Sequence, residues 1–169
     1  MTFCTAATMS ALLDISRSLW ADVMTHLRVR SGGVQESGAF LLGYKGAVRR
    51  TTTAFLPYEK LQRDALHDDH VQLTAASFAR LWELCRHEQL SVVADIHTHP
   101  GNAFQSRSDR NNPMVAIPGH IAFIVPRFAQ GQVQLGDVMV YVYRGNHTWD
   151  SYGASDVKRV VQLIEQGAS

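Results

Sequence analysis

The sequence predicts an α/β or α+β fold, a mixed central sheet flanked by helices, and three observations carry that expectation. Helix-like and strand-like stretches interleave along the chain without a fixed repeat. Several short runs are rich in β-branched residues and bounded by Gly or Pro. Two longer segments place apolar residues three and four apart, as an amphipathic helix requires.

The elements follow in order. From Asp14 to about Arg30, Ile15, Leu19, Trp20, Val23, Met24 and Leu27 recur at helical spacing, with Asp14 as N-cap, until Ser31-Gly32-Gly33 breaks the pattern. Glu36 through Tyr44 reads as a buried strand, and Val48 to Leu56 as a second strand ending at Pro57. The polar stretch from Tyr58 to His70 reads as a loop. Thr74 to His87 then predicts a helix with Phe78, Leu81, Trp82 and Cys85 inward, and Trp20, Trp82 and Phe78 are assigned to the core. Leu90 to His99 is a β-branched strand that stops at Pro100-Gly101. Ile121 to Val125, Val138 to Tyr143 and Trp149 to Tyr152 are further strands, and Ser155 to Gln166 closes the chain as a helix.

Length and composition narrow the function classes. The 169 residues fit one globular domain spanning 1–169, and 46% apolar with 18% charged residues is ordinary for a folded soluble protein. A net charge of +1, with Arg49-Arg50 as the one hint of a basic cluster, argues against nucleic acid or an anionic membrane as partner. Cys4 and Cys85 lie far apart outside any CxxC pair, which disfavours a disulfide framework and a thiolate zinc site and makes the reducing cytoplasm the simplest compartment. The first residues read poorly as a signal peptide, and no apolar run is long enough to span a bilayer.

Chemistry concentrates in Asp95-Ile96-His97-Thr98-His99-Pro100 and Ser106-Arg107-Ser108-Asp109. Side chains alternate along a strand, so His97 and His99 share a face, roughly 7 Å apart along the backbone, and their imidazoles can converge on one ion. A catalytic zinc takes three protein ligands from His, Cys and carboxylate and leaves the fourth position to water. Asp109 is the nearest sensible third ligand, because Pro100, Gly101 and Asn102 let the chain turn back. Two neutral imidazoles and one carboxylate leave the site with net positive charge, which lowers the pKa of bound water towards neutrality. Glu36 is the upstream carboxylate best placed to be buried, and burial raises its pKa towards that of a working base. Taken singly these features have plain explanations: a His-x-His pair on a strand is usually structural, Glu36 is a strand-edge acid, and Ser106-x-x-Asp109 matches a helix capping box. Their joint occurrence favours the metal site.

These residues resemble the JAB/MPN family and its JAMM motif, an upstream Glu followed by His-Ser/Thr-His-Pro and Ser-x-x-Asp, here Glu36, His97-Thr98-His99-Pro100 and Ser106-Arg107-Ser108-Asp109. The resemblance covers roughly Asp14 to Tyr143. It implies a cytidine deaminase-like fold with a curved mixed sheet, and one zinc per chain held by His97, His99 and Asp109. It also implies that Glu36 activates water and that Ser106 donates to the developing oxyanion. Family members cleave isopeptide or peptide bonds after the C-terminal glycine of ubiquitin or a ubiquitin-like protein. The run Ala103-Phe104-Gln105-Ser106 and Asp109-Arg110-Asn111-Asn112-Pro113-Met114 looks most like short bacterial members found in ubiquitin-like conjugation operons. In that setting the partners would be a ubiquitin-like protein or its conjugates with E1-like and E2-like proteins, and a tie to antiphage defence would follow from genomic context.

Three functional readings stay open at this stage: deconjugation or precursor processing of a ubiquitin-like protein, a metal-free scaffold that binds partners, and a zinc hydrolase of small amides. Outside the motif, His67 and His70 read as solvated loop residues and His120 as a structural histidine or a partner near the zinc. Asp95, on the face of His97 and His99, is a candidate for orienting an imidazole.

Overall fold

The computed structural model describes residues 12–165. Within them the chain runs β1 (Leu13–Ser16), α1 (Arg17–Ser31), β2 (Gly38–Lys45), β3 (Arg50–Pro57), α2 (Tyr58–Leu61), α3 (Ala75–Glu88), β4 (Ser91–Thr98), α4 (Arg107–Asn111), β5 (Ile121–Val125), β6 (Met139–Gly145), β7 (Thr148–Tyr152) and β8 (Val161–Ile164). The strands form one mixed sheet in the order β7-β6-β5-β4-β2-β3-β1-β8. β4 runs parallel to β5 and antiparallel to β2, so a parallel pair sits in the middle of the sheet between antiparallel neighbours. The expected mixed sheet with flanking helices is therefore present.

The two faces of the sheet are covered differently. Trp20, Val23, Met24 and Leu27 of α1 pack on Ala39, Leu41, Ala94, Ile96 and Phe123, the larger apolar core. On the other face Leu61 of α2 and Leu81 and Cys85 of α3 pack on Phe40, Leu42 and Val92. Phe40 sits edge-on between Tyr58 and Phe78. This second layer covers only part of its face. Over β4 and β5 it gives way to a cleft roofed by the segment that contains α4.

Local signals explain most boundaries. Ser16 caps α1 by accepting from the Leu19 amide at 3.2 Å, and Gly32 ends the helix in the left-handed conformation that glycine adopts without penalty. Thr74 caps α3 through the Ser77 amide. No helix among the described residues is long and apolar enough to cross a membrane.

Several expectations from sequence need correction. Asp14 is not a helix cap: it lies in β1, its carboxylate 3.3 Å from Arg49, because residues 13–16 pair with β3 and β8 before the helix begins. The stretch from Tyr58 to His70 opens with the short helix α2. Trp82 is 43% exposed, since Phe78, Leu81 and Cys85 form the inward stripe and leave it on the helix shoulder. Residues 154–159 make a 3-10 turn and Val161–Ile164 a strand where a helix was expected. Val157, Val160 and Val161 have helical spacing, but pairing with β1 buries Val161 as a strand residue, so the open sheet edge overrides the local period. Gln166 and Cys4 lie outside the described residues. Arg49-Arg50 forms no surface cluster, because the Arg50 guanidinium turns inward to donate to the carbonyls of Val93 at 3.1 Å and Gly119 at 2.7 Å.

Candidate metal centre

β4 delivers the two histidines. In the ladder His97 lies opposite Gly38 of β2 and beside Ile124 of β5, so three central strands fix its backbone. The His99 amide donates to the Val125 carbonyl at 2.9 Å, and the His99 carbonyl accepts from the Phe128 amide at 2.9 Å. Both rings are buried, and their Nε2 atoms stand 3.1 Å apart.

Asp109 reaches the same point from α4. Its Oδ1 is 3.4 Å from His97 Nε2 and its Oδ2 3.2 Å from His99 Nε2. The carboxylate is aimed by a full capping box: the Ser106 amide donates to Asp109 Oδ2 at 2.8 Å, and the Asp109 amide donates to Ser106 Oγ at 3.1 Å. The capping box expected of this tetrapeptide is present, and it turns the Asp109 carboxylate towards the two imidazoles. Two aromatic residues tie the segment to the sheet: Tyr141 accepts from the Gln105 amide at 3.0 Å, and the Trp149 indole donates to the Arg110 carbonyl at 3.1 Å.

Glu36 completes the group from the opposite side. It lies two residues before β2, because its amide leaves the sheet to donate to the His67 carbonyl at 2.9 Å. Ser37 is then locked to β4, its amide donating to Thr98 Oγ1 at 2.9 Å and its carbonyl accepting from the Thr98 amide at 2.8 Å. The Glu36 carboxylate is buried, with Oε1 4.0 Å from His99 Nε2.

Burial raises the Glu36 pKa above the ordinary carboxylate value, although His97 and His99 pull the other way. Burial acts in the same direction on Asp109, but there the hydrogen-bonding imidazoles of His97 and His99 prevail and hold the carboxyl far below the usual range. Burial alone would lower His97, and its bond to Asp109 instead leaves the imidazole above its usual value. The two carboxyl groups are therefore pushed in opposite directions, Asp109 down by its imidazole partners and Glu36 up by burial.

Ser106 is exposed and lines the cleft with Glu36, His97 and Asp109. All five residues singled out from the sequence thus meet in one place. Sequence reasoning missed the frame around them. His67, read as a solvated loop residue, supplies the carbonyl that holds Glu36, and the exposed Asp69 and His70 line the cleft. Asp95 does face the cleft, but its bonds run away from the imidazoles, to His120 Nε2 at 2.6 Å and Tyr58 Oη at 3.4 Å. Tyr58 carried no signal in the sequence, since a Tyr after Pro57 in a polar stretch looks like a loop residue.

No family model matches the chain. It is 26% identical over 74 residues to a protein of Sinorhizobium fredii described as a probable metalloprotease, y4jG. The alignment covers 44% of this chain and 46% of that protein, so the chain matches about half the length of this curated relative. Among solved structures, protein DSY2949 of Desulfitobacterium hafniense superposes with a TM-score of 0.66 at 13% identity over 92% of this chain and 96% of that one. A protein of Salinibacter ruber superposes with a TM-score of 0.58 at 17% identity over 94% and 95%. At these identities the two structures speak for the fold alone.

Proposed function

We propose that this chain is a zinc-dependent peptidase of the JAMM type, with His97, His99 and Asp109 as metal ligands, Glu36 as general base, and the C-terminal bond of a ubiquitin-like protein as its target. The observation that carries the reading is the convergence of two imidazole Nε2 atoms and a carboxylate at mutual separations of 3.1, 3.2 and 3.4 Å. Ligands about 2.0 to 2.2 Å from a tetrahedral zinc stand about 3.3 to 3.6 Å from one another, so the donor set fits the ion in kind and nearly in spacing. Glu36, His97 and His99 also form a compact donor group. Asp109 is the better third ligand because it lies nearer both rings, whereas Glu36 comes no closer than 4.0 Å to His99 Nε2. The similarity to a protein described as a probable metalloprotease supports the same class.

When bound, the ion supplies Lewis acidity: it polarises the scissile carbonyl and acidifies water. The chain's own residues do the rest. The Glu36 carboxylate takes the proton of the attacking water and returns it to the leaving amine, a shuttle for which its raised pKa suits it. Ser106 accepts the Asp109 amide with one lone pair, which leaves its hydroxyl hydrogen to donate to the carbonyl oxygen as charge develops there. Asp109 and the capping box keep the two imidazoles turned inward.

The first test is the metal content of purified wild type beside His99→Ala, measured by elemental mass spectrometry. About one zinc per chain in wild type and little in the variant is the expected result. No stoichiometric metal in either, after zinc is offered, would leave a partner-binding scaffold as the better reading. A linear ubiquitin-like fusion, an isopeptide-linked conjugate and a small amide, assayed side by side, then separate precursor processing, deconjugation and small-amide hydrolysis.

A further inference from the structure

A buried, hydrogen-bonded Asp–His–Tyr group lies beside the candidate metal centre. Asp95 is 2% exposed, its Oδ1 is 2.6 Å from Nε2 of buried His120, and its Oδ2 accepts from Tyr58 Oη at 3.4 Å. Tyr58 is fully buried, and the fold makes room for it at Gly38: a Cβ there would lie 2.3 Å from Tyr58 Cε2 and 2.7 Å from the Ile96 carbonyl oxygen. Gly38 pairs with His97, and Tyr58, Asp95 and His120 come from α2, from β4 itself and from the position just before β5.

Stability does not call for such a group. Burying a carboxylate costs several kcal/mol before its partners repay it, and apolar residues of like volume commonly serve a core as well or better. His97 supplies the missing reason. A metal-binding imidazole normally donates its second ring N–H to a carboxylate or carbonyl, which fixes the ring and increases its basicity. His97 Nδ1 is buried and has no hydrogen-bond partner among the described residues. Asp95, two residues away on the same face of β4, is the anion available to do this through space.

We propose that Asp95 is a positioning residue whose fixed negative charge, held by His120 and Tyr58, stabilises His97 as a metal ligand in place of a direct bond to Nδ1. The inference rests on the metal site proposed above, and its prediction is confined to zinc affinity at unchanged fold. Asp95→Asn removes the charge while keeping the shape. Competition with a chromophoric chelator should show zinc bound about 10-fold or more weakly than by wild type. The melting temperature of the metal-free variant should equal or exceed that of metal-free wild type. Should that variant not fold, Asp95→Asn with His120→Gln, where two amides keep the hydrogen bond, carries the same expectation. Zinc affinity within about twofold of wild type in the variant that folds would overturn the inference and leave the metal site standing. An affinity lost only in step with melting temperature would reduce Asp95 to a structural part and overturn it as well. Wild type that binds no zinc would remove the metal site itself, and the inference with it.

Discussion

The two faces of β4 meet different surroundings. Ala94 and Ile96 turn towards α1 and disappear into a core of aliphatic and aromatic side chains. Asp95 and His97 turn the other way, into a group with Glu36, Asp109, His99, His120 and Tyr58. Alternation along a strand permits this division, and a central position in the sheet makes it useful, because pairing on both sides holds the backbone while one face carries groups that cost free energy to bury. The apolar face makes the platform, and the polar face is tolerated because the platform is rigid.

The strongest way to break that division is to change only the polar face. Glu36→Gln preserves volume and removes the base, so peptide hydrolysis should fall by about 10²- to 10⁴-fold while zinc content stays that of wild type. Burial of Glu36 raises its pKa, so uncharged Gln should leave the melting temperature equal or slightly higher. Hydrolysis at the wild-type rate would remove Glu36 from the mechanism.

The reciprocal change acts on the apolar face. Ile96→Ala opens a cavity among Ala39, Phe123 and the α1 side chains, and a substitution of that kind costs about 2 to 5 kcal/mol. Denaturant unfolding measures the loss. At temperatures where the variant stays folded, its zinc affinity should remain within a few-fold of wild type, because β2 and β5 still hold the strand. A large drop in affinity at retained fold would mean that the faces are coupled.

The same division sets what was legible in the sequence. His97, Thr98, His99, Ser106 and Asp109 fall within thirteen residues, close enough in sequence for their proximity to be read there. Glu36, sixty-one residues before His97, was found as part of a motif, and its position depends on the register of β2 against β4. The outer frame was harder to read for the same reason: His120 was named as one of two alternatives, while Tyr58, admitted by the missing Cβ at Gly38, and the His67 carbonyl carried no signal. β1 and β8 were misjudged because four-residue strands are too short to display a period of two against overlapping helical spacings.

The smallest expected effect sharpens the comparison by asking what the polar face contributes to stability without metal. Asp109 is held far below its usual pKa and His97 above its own, so the folded metal-free protein favours an ion pair that the unfolded chain lacks. The depressed carboxyl contributes stability present above the unfolded carboxylate value of about 3.9 and lost as pH falls through its folded value. The raised imidazole contributes stability present below the unfolded value of about 6.5 and lost as pH rises through its folded value. Metal-free wild type should therefore exceed metal-free Asp109→Asn in stability most clearly between about pH 4 and pH 6.5, with the gap narrowing on either side. Glu36, whose pKa burial raises, opposes folding increasingly as pH climbs through the carboxylate range. Asp109 adds to that rise, and its carboxylate also bonds His99, so the difference between the denaturation midpoints reports Asp109's interactions with both imidazoles and with Glu36 together. Because Asp109 retains some solvent contact, the gap should be modest beside the loss in Ile96→Ala. A difference that stays flat from acid to alkaline pH would mean that Asp109 and His97 form no ion pair in the metal-free protein.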